Sequence, residues 1–91
     1  MMEEELLFSD ACSYVKEHMD IFSDEQKVKL YALYKQSTIG DCNIERPGGL
    51  FNWERKKMWD GWETLREKDI KNPKQMYIDY LSGIKDKWYC C

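Results

Sequence analysis

The spacing of apolar residues along the 91-residue chain predicts helices throughout. Over residues 3–19, apolar side chains recur at intervals of three and four residues, which places them on one face of a helix. The members of this stripe are Phe8, Ala11, Cys12, Val15 and Met19. Residues 20–22 are expected to connect it to the next helix. The period-two alternation that is typical of a strand does not occur.

A second helix is predicted to begin with a capping box, with Ser23 as the N-cap and Gln26 three residues later. It runs to about Ile39, and Gly40 suits the position just after a helix end. Its apolar residues are spread widely, because Val28, Tyr31 and Ile39 lie on one flank and Leu30, Leu33 and Tyr34 on another. Such a helix is expected to pack on one side and to meet a ligand or a further helix on the other.

Residues 40–52 carry glycines and a proline without a helical period, and they predict a loop of about a dozen residues, a length that is often functional. Asn52 is the expected cap of a third helix over residues 53–66. The apolar edge of this helix comprises Met58, Trp59, Trp62 and Leu65. The basic residues 55–57 oppose the helix dipole at its start, so they are expected to have another role.

After a polar connection at residues 67–71, Asn72 and Pro73 are a strong start signal for a last helix. Its apolar stripe comprises Met76, Tyr77, Tyr80, Leu81, Ile84 and Trp88. Four amphipathic helices in a chain of this size predict an all-α bundle that forms one domain, residues 3–89.

Composition narrows the function classes. The net charge of −3 disfavours a general nucleic-acid surface, and a signal peptide and a membrane-spanning apolar run are both missing, so a cytoplasmic protein is expected. The four cysteines (Cys12, Cys42, Cys90 and Cys91) do not have zinc-site spacing, and reduced thiols are the simplest interpretation. Lipidation of Cys90 and Cys91 is an alternative. A recognisable nucleophile–base pair is also missing, which argues against an enzyme such as a thioester hydrolase.

The candidate chemistry lies at the end of the second helix. Tyr31, Tyr34 and Lys35 fall in one sector at helical spacing. Because an unpartnered ammonium is costly to bury, a lysine among tyrosines indicates a partner that is both flat and polar.

The residues around this sector resemble the acyl-CoA-binding protein family. The matching run is Tyr31-x-x-Tyr34-Lys35-Gln36-x-Thr38-x-Gly40-Asp41-x-Asn43-x-x-Arg46-Pro47. Lys57-Met-Trp59-Asp60-Gly-Trp62 is similar to the family's Lys-Trp-Asp-Ala-Trp segment, and Tyr77-Ile78 resembles its last helix. The likeness extends from Phe8 to about Trp88.

The resemblance implies an up-down-down-up four-helix bundle that binds long-chain acyl-CoA esters without a cofactor or catalysis. It implies a monomeric intracellular carrier that delivers the ester to enzymes and membranes. On matching positions, Tyr31, Tyr34 and Lys35 would engage the adenine and the 3′-phosphate. Lys16 would lie near the phosphates, and Tyr77 would line the nucleotide site.

One departure from the family is clear. Met58 stands where the family has a ligand-binding lysine, and the preceding loop is one residue longer. We assign Lys57 as the substitute and keep Lys56 as a second candidate. Because of Met58, a helical interaction module with a weakened or vestigial site is the alternative function. Trp59 and Trp62 are assigned to the core, and Asp41, Asn43 and Arg46 to loop organisation.

Overall fold

The computed structural model describes residues 2–50, 52–66 and 72–85, and these residues form four α-helices and no strand. The helices are α1 (Met2–Glu17), α2 (Asp24–Thr38), α3 (Trp53–Glu63) and α4 (Pro73–Ile84), with a short 3₁₀ helix at Met19–Ile21. The predicted all-α class is confirmed. The connection at residues 67–71, Trp88, Cys90 and Cys91 lie outside the described residues.

The predicted helix signals act locally as expected. The Ser23 hydroxyl accepts from the Gln26 amide at 3.2 Å, and the Gln26 side chain accepts from the Ser23 amide at 2.9 Å, which completes the capping box. After α2, Gly40 adopts φ of 105°, a conformation that favours glycine. The Asn72 side chain caps α4 by accepting from the Gln75 amide at 3.2 Å.

Two helices are shorter than predicted. The first ends at Glu17, and Met19 falls in the 3₁₀ turn with 40% of its surface exposed, so it is not a core residue. The third ends at Glu63 rather than residue 66, because the amides of Leu65 and Arg66 bond to carbonyls three residues back and tighten the chain into turns. Asn52 precedes α3, but its side-chain amide donates to the Gly48 carbonyl, and the side chain does not cap the helix.

The core lies where α4 packs on α1 and α2, and where α2 packs on α3. Trp62 and Leu81 are almost completely buried, which confirms the core assignment of Trp62. Half-buried Trp59 packs against this cluster. Within the described part of the chain, no helix combines the length and the apolar character needed to span a membrane.

The loop after α2 is tied to α3 by side-chain bonds. The indole of Trp62 donates to the Gly40 carbonyl at 2.8 Å, and that of Trp59 donates to the Ile44 carbonyl at 2.9 Å. Arg46 forms a two-bond ion pair with Asp60, at 2.9 and 3.1 Å. Arg46 therefore organises the loop as predicted, and Asp41 does so through a bond from Gln36.

We predict that Gly61→Ala destabilises the fold although alanine favours helices. A methyl group at residue 61 would collide with Cγ1 of Val28, whose branched side chain adapts poorly. Overpacking costs about 1–3 kcal/mol, against a helix-propensity gain of about 1 kcal/mol. Urea unfolding followed by circular dichroism should show a net loss. In a Val28→Ala background the same change should be stabilising, and equal effects in both backgrounds would refute the steric cause.

Candidate functional site

A cavity of about 500 Å³, referred to below as the main cavity, lies between α1 and α2, and Met58 of α3 and Tyr77 of α4 contribute to its wall. Most of its lining is apolar or aromatic, with serine, threonine and lysine side chains among them. The lining residues are Phe8, Ser9, Cys12, Ser13, Val15, Lys16, Met19, Lys27, Leu30, Tyr31, Tyr34, Thr38, Met58 and Tyr77. Its volume lies within the usual range of small-molecule sites, about 300–1,000 Å³.

One end of this cavity is aromatic. The Phe8 ring stacks on Tyr34, with centroids 6.2 Å apart, and meets Tyr77 edge-on at 5.3 Å. Tyr34 keeps 39% of its surface exposed, so its ring is available to a ligand. Tyr77 is buried, and burial together with neighbouring Cys12 raises the pKa of its hydroxyl, which keeps it neutral.

Tyr31 belongs to two cavities. It lines the main cavity and also a second one of about 350 Å³ beside Ile44, Pro47 and Trp59. The Nζ atom of Lys35 lies 5.6 Å from the Tyr31 ring centroid and 5.7 Å from that of Trp62. Lys35 does not line the main cavity. Its ammonium lies over the ring of Tyr31, which does, in a cation–π arrangement.

The other end of the main cavity is cationic. Lys16 from α1 lines it as expected from the resemblance, together with Lys27 from α2, which was not predicted. Lys27 lies four residues before Tyr31, and this spacing on one helix face was the available signal. Phe8 and Leu30 also line the cavity, although the stripe assigned Phe8 only to the core.

The two lysines assigned to replace the lysine missing at Met58 are not part of the lining of the main cavity. Lys57 is exposed and lines an outer groove of α2 and α3 with Lys29 and Asp60, and also a small cavity with Met58. The Nζ atom of Lys56 donates to the Gly49 carbonyl at 2.6 Å. Met58 itself lines the main cavity, the small cavity and the cavity beside Ile44.

Two thiols belong to the described residues, and both are unpaired. Cys12 lines the main cavity beside Tyr77 and near Lys16, whereas Cys42 is a buried residue of the loop after α2. Burial raises the pKa of the Cys12 thiol, and it outweighs the Tyr77 hydroxyl and the Lys16 ammonium, which act in the opposite direction. No group of metal-ligating side chains occurs in the described ranges.

Comparisons with known proteins point to one family. Residues 5–81 match the family model described as acyl CoA binding protein. An acyl-CoA-binding protein 2 of Saccharomyces pastorianus is 34% identical over 82 residues, which cover 90% of this chain and 93% of that protein. The crystal structure of Oryza sativa acyl-CoA-binding protein 2 superposes with a TM-score of 0.76 at 31% identity, covering 89% of each chain.

Longer relatives match as well. An acyl-CoA-binding domain-containing protein 6 of Xenopus tropicalis is 35% identical over 88 residues, which cover 94% of this chain but 30% of that protein. The chain thus spans less than a third of the length of this relative.

We predict that Cys12 reacts with iodoacetamide more slowly near neutral pH than the same thiol in the unfolded chain. The midpoint of its pH–rate profile should lie at a higher pH. The thiolate is the reactive species, so a raised pKa leaves less of it near neutral pH and moves the midpoint of the rate profile upward. Tyr77→Phe removes a hydrogen bond that lowers the pKa of Cys12 and should move the midpoint further up.

Alkylation rates resolved by peptide mass spectrometry would check this, with the chain in urea as the reference. Cys42 is the internal control, since Tyr77 is not among the groups that shift its pKa. A Cys12 midpoint at or below that of the unfolded chain would contradict the prediction.

Proposed function

The chain belongs to the acyl-CoA-binding protein family, and we propose that it is an intracellular carrier that binds long-chain acyl-CoA esters with high affinity and forms a protected pool of them. Acyl-CoA binding is the function that family membership supports directly. The preference for long chains and the roles in pool formation and delivery are the further steps of this proposal.

The observation that carries the proposal is the main cavity between α1 and α2. It combines an apolar wall with an aromatic end at Phe8, Tyr34 and Tyr77 and a cationic end at Lys16 and Lys27. A coenzyme A ester has the matching parts, because it carries a purine, phosphates and an apolar chain. Tyrosine rings suit the purine face, and lysine ammonium groups suit the phosphates.

The acyl chain is expected to supply most of the affinity. A long acyl chain contains about 14 methylenes, and at ~0.8 kcal/mol each their full burial would stabilise the complex by about 11 kcal/mol gross. The entropy lost in ordering the chain reduces this value. A single ion pair at a wet surface is often worth less than about 1 kcal/mol. Chain length should therefore determine affinity, and the tyrosines and lysines should determine head-group specificity.

We assign the residue roles on this basis. Tyr31 and Tyr34 stack on the adenine, Lys35 and Lys16 bind phosphates, and Tyr77 lines the nucleotide site. The accessible ring of Tyr34 and the position of Lys16 in the cavity support these roles. The sequence-based prediction that Lys57 replaces the family lysine at the Met58 position, with Lys56 as the second candidate, stays a prediction.

The protein is proposed to act without catalysis or a cofactor, as a cytoplasmic monomer that passes its ligand to acyl-CoA-using enzymes and membranes. The reactions expected of a hydrolase need a nucleophile with an adjacent base. Burial raises the pKa of Cys12, the thiol in the main cavity, so less of its reactive thiolate is present near neutral pH.

A second candidate function is a helical interaction module with a weakened acyl-CoA site. The observation that favours it is Met58, an uncharged side chain that lines the main cavity at the position where the family has a lysine. If the other cations do not compensate for this exchange, head-group affinity would be low while the fold remained intact.

We predict that affinity rises steeply with acyl-chain length. Isothermal titration calorimetry should give much tighter binding for palmitoyl-CoA than for octanoyl-CoA, and the weakest binding for free coenzyme A, because each methylene adds about 0.8 kcal/mol at most. The absence of binding to palmitoyl-CoA by a folded sample would favour the interaction module. A release of free thiol during incubation with the ester would instead indicate hydrolysis.

We predict that Tyr34→Ala lowers the affinity for palmitoyl-CoA by about 1–3 kcal/mol, the cost expected for a lost stacking platform. Tyr34→Phe is the matched control, since it retains the ring, and it should bind almost like the wild type. Lys35→Ala should also weaken binding, and the loss should shrink as salt rises.

Melting curves must accompany these titrations, because Tyr34 also stacks on Phe8. Unchanged affinity in both Tyr34→Ala and Lys35→Ala would refute the assigned roles. Lys57→Ala and Lys56→Ala, titrated in the same way, would decide between these two residues.

A further inference from the structure

The cationic end of the main cavity contains a lysine from α2. Lys27 is the fourth residue of this helix and follows two acidic residues, Asp24 and Glu25. It is half-buried and lines both the main cavity and the small cavity beside it. Among the described residues, the ion pairs join Arg46 to Asp60 and Arg66 to Glu63, and neither involves Lys27. Lys27 therefore has no carboxylate within ion-pair distance in the described part of the chain, although Asp24 and Glu54 line the small cavity with it.

Lys16 lies at the same end of the cavity. It is in the last turn of α1, and residues 18–23 connect this turn directly to the first turn of α2, which contains Lys27. Met19, from this connection, also lines the cavity. The two lysines thus approach the cavity from two adjoining helix ends.

The lining of the main cavity includes no aspartate or glutamate among the described residues. Exposed Lys16 and half-buried Lys27 consequently line a mostly apolar cavity without a carboxylate from the described ranges on the same wall. The uncharged Met58 lines the main cavity with both lysines. Of the cations next to it in sequence, Lys56 bonds to the Gly49 carbonyl, and Lys57 lines the small cavity but not the main one. An anionic ligand group at this end would supply the missing charge.

We propose that Lys27 binds a phosphate group of the coenzyme A head group, together with Lys16, and that it supplies from α2 the positive charge that Met58 does not supply from α3. This inference rests on the proposed function, because it assigns a further ligand-binding residue to the same site. It distinguishes a phosphate contact from the alternative in which the Lys27 side chain merely packs along the acyl chain.

The test compares two ligands that share an acyl chain and a pantetheine thioester: dodecanoyl-CoA, and S-dodecanoyl-pantetheine, which lacks the phosphates together with the adenosine. Lys27→Met keeps an unbranched side chain of similar length and removes the charge. It should weaken dodecanoyl-CoA binding about tenfold, as expected for one charge-assisted contact, and change pantetheine-ester binding by less than about twofold. It should also reduce the salt dependence of dodecanoyl-CoA binding. Lys27→Arg should retain wild-type affinity.

Lys29→Met is the matched control, because Lys29 is an exposed lysine of the same helix that lines the outer groove instead of the main cavity. Equal losses for both esters in Lys27→Met would overturn the proposal and indicate chain packing. An affinity for dodecanoyl-CoA equal to that of Lys29→Met would overturn it as well. The wild-type titration is independent of these comparisons, and its failure would reject the proposed function itself.

Discussion

The buried indole of Trp62 is the constraint on which the site depends. Its N–H donates to the Gly40 carbonyl at 2.8 Å, so a residue of α3 is hydrogen-bonded to the chain just after the end of α2. Only 1% of its surface is exposed, and a bond in such surroundings is costly to break without a replacement. Its ring also lies 5.7 Å from the Lys35 ammonium. The end of α2, the loop after it and α3 therefore behave as one unit, which orients Lys35 over the Tyr31 ring.

The core and the cavity share a wall on α2. Leu30 is 2% exposed and still lines the main cavity, while Tyr31, the next residue, and Tyr34, one turn further along, are partly exposed. An apolar chain placed in this cavity would touch side chains that also hold the bundle together. Ligand binding is then expected to stabilise the fold in proportion to ligand concentration and affinity. Phe8 has the same double role, because it belongs to the core and stacks on Tyr34.

Signals confined to one turn of chain predicted the helices well. The capping box at Ser23, the glycine after α2 and the Asn72–Pro73 start depend on residues three or four apart, so their physics is fully local. Met19 and the end of α3 were misplaced, because a helical period does not indicate where the chain tightens into a turn. Helical spacing indicated that Tyr31 and Tyr34 share a face. It did not indicate that α1 would place Lys16 on the wall of the same cavity, because that depends on packing between helices. Lys27 lies four residues before Tyr31, so its place on the same face could have been predicted from helical spacing.

Charge explains why the positions of a few lysines matter so much. The chain carries a net charge of −3, so its overall field does not attract an anionic ligand. Attraction must arise within about a Debye length of the cavity, roughly 8–10 Å at ordinary salt. Tyr31 already has an ammonium over one ring face, and the cationic end has two more. If Lys16 and Lys27 bind a phosphate as proposed, the positive charge that α3 lacks at Met58 is supplied from α1 and α2 instead. The apolar chain would then have to keep the ligand in the cavity.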